Sequence, residues 1–206
     1  MSTLTLAGEV AGERISVDAS DRNWVPASST DAAAVIAAIA GLIPAPLTVT
    51  LDGQDLSTFS PVQRHRAQLC VAGSRLDPLP ALRVGDVIGL GLRAPQPPLW
   101  QSLVGTARAR SSHADDEAQV RALAGRVGLA GWVDRTAVDL PLKIEALVDL
   151  ARALAGVPKV LVWRRPEWLN PVSLAEITAA VTAEQRLAGF TVVEFVRRPG
   201  VSLSGQ

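Results

Sequence analysis

The chemically most informative stretch of the sequence is a short apolar run that ends in two adjacent arginines. Residues 157–171 read VPKVLVWRRPEWLNP, so Arg164 and Arg165 follow four apolar residues and precede a proline. Guanidinium groups bind phosphate well, and one interpretation is that the pair contacts an anion. The other interpretation is that both side chains are solvated, or paired with carboxylates, at the end of a strand. Candidate partners for such pairs are Glu167, Asp31 and Glu194.

The remaining candidates for chemistry are two histidines, one cysteine and a hydroxyl-rich segment. His65 and His113 have no second ligand or nucleophile at an informative spacing, which predicts surface histidines. Cys70 is the one cysteine, so no internal disulfide and no cysteine-based zinc site can form, and a buried thiol without a special role is expected. The segment SST at 28–30 either offers hydroxyls to a ligand or caps the following helix.

Length and composition indicate one soluble domain. The chain has 206 residues, of which 48% are hydrophobic, enough for a substantial core. Its formal net charge is zero, which gives no electrostatic reason to expect binding to nucleic acid or to an anionic membrane. The N-terminus has no basic region followed by an apolar run, so no signal peptide is expected. The most apolar stretch, 32–47, is shorter than the ~20 residues of a membrane span and contains Pro44 and Pro46, which predicts a cytoplasmic protein.

Apolar periodicity predicts strands that alternate with helices, and therefore an α/β layer fold with a mostly parallel sheet. Within 60–73 we expect a helix that leads into a buried strand, and within 74–92 a proline-containing loop followed by the start of a helix. Residues 94–112 are interpreted as a surface excursion, with a solvated basic loop at 107–112. Acids in the first turn of the next helix would suit the helix dipole. The other expected helices are 31–42, 114–129, 140–157 and 170–189, and the other expected strands lie within 3–17, near Trp24, and at 47–56, 160–163 and 190–196.

The order and spacing of these pieces resemble those of the ATP-binding subunit of ABC transporters, especially the type that serves branched-chain amino acid import. The resemblance covers nearly the whole chain and lies mainly in the segments 38–66, 118–135 and 150–163 and in the LNP loop at 169–171. It implies an α/β fold with a P-loop NTPase-like (RecA-like) core, a small N-terminal antiparallel β part and a helical subdomain. In a single domain over 1–206, the core would comprise 1–85 and 138–206, and the helical subdomain about 86–137.

The phosphate loop of such subunits, G-x-x-x-x-G-K-[ST], would fall on residues 26–34, where its functional residues are replaced. Backbone amides of this loop wrap the phosphates, its lysine reaches the β- and γ-phosphates, and its hydroxyl holds magnesium. Here Asp31 takes the place of the last glycine, Ala32 of the lysine and Ala33 of the hydroxyl residue. A carboxylate at the helix N-terminus competes with phosphate for the same amides, so nucleotide affinity should be lost. The degenerate loop positions are Ser28, Ser29, Thr30, Asp31, Ala32 and Ala33.

The second nucleotide motif implied by the resemblance is replaced as well. Arg164 and Arg165 occupy the positions where an aspartate would hold magnesium and a glutamate would orient the attacking water. An anion contact by these two arginines, in place of magnesium, stays one of the two interpretations. Trp163 and Trp168 flank this former metal position; both are interpreted as core or interface residues, and the alternative expectation is that their bulk fills the emptied nucleotide pocket.

Three further motifs of such subunits can be placed on the chain. The signature LSGGQ, which the partner subunit uses to hold the γ-phosphate, falls on LPLKI at 140–144, where bulky side chains replace both glycines. The glutamine-loop position falls near Ser74, and the switch histidine falls on Arg197. The LNP loop remains, and the chain is expected to lack the closing strands and helix of such subunits. A dimer containing this chain would thus lack both of its composite ATP sites.

The resemblance therefore predicts a degenerate nucleotide-binding domain, a pseudoenzyme without catalytic residues, metal or cofactor. Its expected role is that of an accessory or regulatory protein-interaction subunit of an ABC transport system. The expected partner is a membrane subunit, a second nucleotide-binding subunit or a second copy of the chain, with no nucleic acid and with the membrane reached through partners at its inner face. The surface around 73–100, close to where such subunits dock a coupling helix, is expected to be retained.

Two alternatives stay open. The first is a genuine ATP-binding subunit that uses ATP and magnesium to energise import of an amino acid type of solute. The second is a small-ligand module that reuses the vacated pocket.

Overall fold

The computed structural model describes residues 2–10, 12–20, 22–27, 29–73, 79–92 and 107–197. In chain order the strands are β1 (Leu4–Val10), β2 (Glu13–Ala19), β3 (Arg22–Ala27), β4 (Leu47–Leu51), β5 (Gln54–Asp55), β6 (Leu69–Ala72), β7 (Leu79–Arg83), β8 (Thr136–Ala137), β9 (Val160–Arg164) and β10 (Thr191–Arg197). The helices are α1 (Ser29–Ala40), α2 (Pro61–Arg66), α3 (Val84–Gly89), α4 (Ala107–Arg126), α5 (Leu142–Ala155) and α6 (Pro171–Ala188).

An antiparallel sheet near the N-terminus has the strand order β2-β1-β4-β5. Alternate residues of β1 and β4 are buried, which is the pattern of strands that cover a core on one face and meet solvent on the other. Gly8 of β1 lies against the backbone of Pro46, so this strand also contacts the segment that enters β4. This sheet corresponds to the predicted small N-terminal antiparallel β part.

A parallel sheet with the order β3-β10-β9-β6 forms the centre of the molecule. The first four residues of β9 are all buried, because both faces of a parallel sheet are covered by other layers. The link from β9 to β10 is α6, which begins at the N-cap Asn170, whose side chain accepts a hydrogen bond from the Ser173 amide, and ends at Gly189 in the left-handed conformation.

Two hydrophobic clusters lie on opposite faces of the parallel sheet. The α1-side core contains α1, the antiparallel sheet and the residues Val160 and Val162 of β9. The α5-side core contains the buried faces of α3, α4, α5 and α6 together with Leu161 and Trp163 of β9. Side chains that alternate along β9 therefore belong to different cores, as the period of a strand requires.

Two sequence-based expectations about local structure are wrong. Residues 107–112 were expected to be a solvated loop, but they form the first turns of α4, so the acids at 115–117 do not lie in its first turn. Alanine and arginine favour helix, and the helix includes the two serines at 111 and 112. The proline-containing loop was expected to lack a strand, but β7 pairs with β8 in a two-stranded sheet, an arrangement whose edges tolerate Pro80.

Two further points concern the extent of the structure. Most of the predicted surface excursion, residues 93–106, lies outside the described residues. No helix within the described ranges is long and apolar enough to cross a membrane. The predicted division into a core and a helical subdomain stays a prediction.

Candidate functional site

The junction between β3 and α1 is the place where a P-loop NTPase holds its phosphates. β3 ends at Ala27 and α1 begins at Ser29, so a single residue, Ser28, separates strand from helix. Residues Pro26 and Ala27, the first two of the predicted phosphate-loop segment, are paired with Val196 and Arg197 of β10. A loop that wraps phosphate needs about six residues between strand and helix, more than the one residue between β3 and α1.

The side chains of this segment are packed or lie outside the described part of the chain. Ala32, at the lysine position, is 5% exposed and belongs to the α1-side core, whereas Ala33 is exposed. Ser28 and the side chains of Ser29, Thr30 and Asp31 lie outside the described residues. The position that would carry the phosphate-binding lysine is thus part of the hydrophobic core.

The two arginines of the former metal position have different surroundings. Arg164 is half-buried, and its guanidinium carbon lies 5.7 Å from the centroid of the Trp168 ring, within the range of a cation–π contact. The backbone amide of Arg165 donates a hydrogen bond to the Phe195 carbonyl at 3.0 Å, which extends the pairing of β9 with β10 by one residue. Neither position offers the carboxylate that magnesium requires.

The expectation that both tryptophans fill the vacated pocket is wrong for Trp163. Trp163 is 1% exposed and lies in the α5-side core, on the opposite face of the sheet from α1. The cause is the strand period: Arg164 and Trp163 are adjacent, so their side chains point to opposite faces. Trp168 does contact the former metal position through Arg164, and its indole nitrogen is buried without a hydrogen-bond partner among the described residues.

The chain enters the predicted glutamine-loop segment through a tightly packed glycine. Gly73 has a φ of +97°, and a Cβ at this position would lie 1.9 Å from the carbonyl oxygen of Arg164. Its amide donates a 2.6 Å hydrogen bond to the buried carboxylate of Asp149 on α5, which also pairs with Arg152 at 2.6 Å. The ends of β6, β9 and the middle of α5 are thereby held together. Ser74 itself lies outside the described residues.

The predicted signature segment lies at the N-terminus of α5, as it would in an ATP-binding cassette. Pro141 is the N-cap and provides no side-chain hydrogen bond to the helix, and Leu142 is the first helical residue. Proline also has no amide hydrogen, so one donor that an anion could use at this terminus is absent. Lys143 forms an ion pair with Glu176 of α6, and Glu145 adds a negative charge to the first turn. These features disfavour a bound phosphate.

At two further motif positions, the LNP loop and Arg197, the structure describes the course of the backbone. The LNP loop positions α6 through Asn170, the helix N-cap. Arg197, at the switch-histidine position, is the last residue of β10 and pairs with Ala27 of β3. The side chain of Arg197 lies outside the described part of the chain.

A cavity of about 630 Å³ lies beside the edge strand β6, away from the β3–α1 junction. We call it the β6 cavity; it is lined by α2, the residues after α3 and the second half of α5, including Leu42, Val62, Arg66, Cys70, Leu90 and Arg152. His65 also lines it, and this residue is not the isolated surface histidine that the sequence predicted: its Nε2 lies 3.0 Å from the Gly91 carbonyl and its Nδ1 lies 3.6 Å from the sulfur of Cys70. His113 has no described side chain.

ATP and magnesium do not fit the residues present at the motif positions. The strand-to-helix junction is too short for a phosphate loop, the lysine position is buried as alanine, and arginines occupy the metal-binding positions. Among the described residues, no group of three or more histidine, cysteine, aspartate or glutamate side chains is arranged to hold a metal ion.

The layers described above define the fold of an ABC-type ATPase cassette, a P-loop NTPase fold, and confirm the predicted fold class. A nucleotide-free ATP-binding cassette from an ABC transporter superposes with a TM-score of 0.71 at 17% identity, over 97% of this chain and 82% of that one. The ADP conformation of an ATP-binding cassette of an ABC transporter gives a TM-score of 0.69 at 17% identity, over 96% and 82% of the two chains.

The relatives found by sequence are also ATP-binding proteins of import systems, at low identity. The chain is 28% identical over 153 residues to the ribose import ATP-binding protein RbsA 1 of Rhizobium johnstonii, a match that covers 74% of this chain and 26% of that protein. It is 28% identical over 155 residues to the protein of the same name from Mesorhizobium japonicum, covering 75% and 26%. The chain thus spans about a quarter of the length of these curated relatives. No protein-family model matches the sequence.

Proposed function

We propose that this chain is a degenerate nucleotide-binding domain that keeps the cassette fold but neither binds nor hydrolyses ATP, and that it acts through protein contacts in an ABC transport system. The observation that carries the proposal is the β3–α1 junction, where a strand passes into a helix with one residue between them and the lysine position is buried in the core. Phosphate contacts need free backbone amides at this helix N-terminus, whereas the described residues on either side of Ser28 belong to β3 and α1 rather than to a loop.

The proposal extends to any dimer that contains the chain. Each composite site of an ABC dimer joins the phosphate loop of one subunit to the signature of the other. This chain has replaced residues in both segments: alanines in the phosphate loop, and LPLKI with a proline N-cap in the signature. A normal ATPase subunit paired with this chain would therefore lose both sites and be held inactive.

The interaction surface of the proposed role is the β6 cavity. Its rim carries the exposed apolar side chains Leu42, Val62 and Leu90, and Leu90 falls within the predicted 73–100 docking surface. The described residues that line it include basic side chains but no acidic one. We assign this cavity to a helical segment of an ABC membrane subunit that carries apolar and acidic side chains, because such a segment matches both the apolar rim and the charge. The chain would then lie at the inner face of the plasma membrane.

The transported solute stays a prediction. The sequence resemblance indicates a branched-chain amino acid system, whereas the curated relatives are ribose import proteins. The fold is shared by both kinds of system, so the solute has to be established from the partner rather than from this chain.

A phosphate-release assay separates the proposal from the alternative of a genuine ATPase subunit. The purified chain is mixed with ATP and magnesium, alone and together with a co-expressed membrane subunit of the system. The proposal expects no release above the protein-free rate in either mixture. Release that depends on the chain and saturates with ATP contradicts it.

The docking surface is tested separately with two matched substitutions. Leu90 and Val172 are similarly exposed, at 64% and 69%, but Leu90 lies on the rim of the β6 cavity and Val172 lies on α6. Leu90→Asp should weaken co-purification with the membrane subunit at least tenfold, because it places a charge in an apolar contact, and Val172→Asp should leave it unchanged. Equal binding by both variants contradicts the assignment.

A further inference from the structure

A thiol and an imidazole form a pair at the wall of the β6 cavity. His65 is in the last turn of α2, and Cys70 is the second residue of β6. The Sγ atom of Cys70 lies 3.6 Å from Nδ1 of His65, within hydrogen-bond distance for sulfur. Nothing in the proposed docking role uses this contact.

The orientation of the imidazole is fixed by the backbone. The carbonyl oxygen of Gly91, 3.0 Å from Nε2, can only accept a hydrogen bond, so Nε2 carries the hydrogen. In the neutral ring this leaves the lone pair of Nδ1 directed at the Cys70 sulfur. A nucleophile next to a base that is oriented by a third group is the arrangement that activates cysteine in nucleophilic sites.

The space for the contact between His65 and Cys70 depends on a glycine, which has no side chain. A Cβ at Gly156, the C-cap residue of α5, would lie 2.6 Å from Cε1 of His65 and 2.9 Å from Sγ of Cys70. Any larger residue at this position would push the imidazole away from the thiol. The packing of α5 against α2 and β6 therefore depends on the same glycine that permits the contact.

The surroundings of the pair are electropositive. Arg66 and Arg152 line the same cavity, and Arg64 lies on the same wall. Arg152 is neutralised by its ion pair with Asp149, and Arg64 is buried, so Arg66 provides the exposed positive charge. An exposed cation beside the cavity attracts anionic reagents.

We propose that Cys70 is a nucleophilic thiol and that the β6 cavity admits small anionic disulfides with which it exchanges. The thiol proton passes to Nδ1 of His65 as the Cys70 sulfur attacks one sulfur of the disulfide. The bond between the two reagent sulfurs breaks, a bond from Cys70 to one of them forms, and the other leaves as a thiolate. No separate oxidant is needed, because the number of disulfide bonds is unchanged: the Cys70 sulfur enters a new disulfide as the leaving sulfur becomes a thiolate. The group left on Cys70 would occupy the cavity.

The test uses the full chain and the dianionic aromatic disulfide 5,5′-dithiobis(2-nitrobenzoate), whose released thiolate is coloured. Because the chain has one cysteine, one equivalent of thiolate per chain reports Cys70 alone. The rate constant for the folded chain is compared with that for the same chain unfolded in concentrated urea, where the thiol has no imidazole partner. His65→Gln removes the base, and His113→Gln is its control, since the chain has two histidines.

The proposal expects the folded chain to react at least as fast as the unfolded chain. It expects His65→Gln to slow the folded reaction by at least about tenfold, because the thiol then has no base to accept its proton, and to leave the urea rate unchanged. His113→Gln should behave like the parent chain. Far-ultraviolet circular dichroism shows whether the His65 variant is folded. If the variant is unfolded, the rate constants of the folded and unfolded parent chain alone test whether Cys70 is reactive.

Two results overturn the proposal. A folded chain that reacts much more slowly than the unfolded one would show Cys70, which is only 2% exposed, to be an inert core residue. A folded reaction that is fast but unaffected by His65→Gln would show that the imidazole does not activate the thiol. Neither result would bear on whether the chain binds ATP or a membrane subunit.

Discussion

Arg64 is a buried charge that is held by carbonyl oxygens. It is 5% exposed, and its guanidinium donates hydrogen bonds to the carbonyls of Ala38 and Ile39 at 2.8 and 2.7 Å, of Ser57 at 2.7 Å and of Phe59 at 3.1 Å. Burial lowers the pKa of this guanidinium, although Asp55 opposes the shift. Two of the four carbonyls belong to the last turn of α1, where the usual i+4 amide partners are missing, although the Ala38 carbonyl also accepts a hydrogen bond from the Gly41 amide. Arg64 thus joins α1 to the segment that precedes α2.

Replacing Arg64 should therefore destabilise the fold strongly. Arg64→Met keeps much of the side-chain volume but leaves buried carbonyls without donors, and we expect a loss of about 3 kcal/mol in the free energy of unfolding. Arg66→Met is the matched control on the same helix, since Arg66 is exposed and should change stability by less than about 0.5 kcal/mol. Urea denaturation of both variants measures the difference. Equal midpoints would show that the four hydrogen bonds contribute nothing.

Gly73 should be intolerant of any side chain for two separate reasons. Its φ of +97° disfavours other residues, and a Cβ would lie 1.9 Å from the Arg164 carbonyl oxygen. Gly128 has a φ of +82° but no atom within 4 Å of its Cβ position, so Gly128→Ala isolates the backbone term. We expect about 1 kcal/mol of destabilisation for Gly128→Ala and clearly more, above about 3 kcal/mol, for Gly73→Ala. Thermal denaturation that gives similar shifts for both would refute the close approach.

Under the proposed function, the short connection from β3 to α1 is the reason to expect that side chains alone would not restore the nucleotide motif. A phosphate loop binds through the backbone amides of an extended turn, and a lysine only adds to that. Here the strand is followed almost directly by the helix, and Ala32 faces the α1-side core rather than an open pocket. The missing property is thus one of backbone shape.

Reintroducing the lysine should consequently give no gain of binding. Ala32→Lys forces a long charged side chain into the α1-side core and should cost about 2–4 kcal/mol in stability without creating ATP affinity. Ala33→Lys, at the neighbouring exposed position, should leave stability nearly unchanged. Chemical denaturation and nucleotide titration of the two variants are the measurements. ATP binding by Ala32→Lys would mean that the junction can still form a phosphate loop.

The sequence predicted those elements whose pattern is dictated by burial. The apolar run of β9 and the amphipathic α5 were both anticipated, because each shows the period of its structure. The early start of α4 and the strand β7 were missed, since Ser111–Ser112 and Pro80 are local break signals that the surrounding structure overrode. The motif positions at 26–34 and 164–165 were predicted from the resemblance to ATP-binding subunits, whereas the one-residue junction could not be predicted, because strand and helix boundaries depend on pairing with β10.

The contact between His65 and Cys70 illustrates what spacing cannot provide. The two residues are five apart in the sequence, a separation that by itself does not predict a contact. They meet because the chain turns between the end of α2 and the start of β6. The carbonyl of Gly91 that orients the imidazole comes from a different part of the chain. Similarly, Trp163 was assigned to the wrong side of the sheet, because its face depends on the register of β9 within the two cores.

At the scale of the whole molecule, hydrophobic packing on both faces of the parallel sheet stabilises the fold. Two extensive cores hold α1 on one side of the sheet and α3, α4, α5 and α6 on the other. In a cassette that uses ATP, the nucleotide contributes binding energy to the closed state. We therefore expect the stability of this chain to be independent of nucleotide.

The account rests on the loss of nucleotide binding, and calorimetric titration of the purified chain with ATP and magnesium tests that loss most directly. The account predicts no saturable heat up to millimolar nucleotide. A saturable isotherm with a micromolar dissociation constant would contradict it.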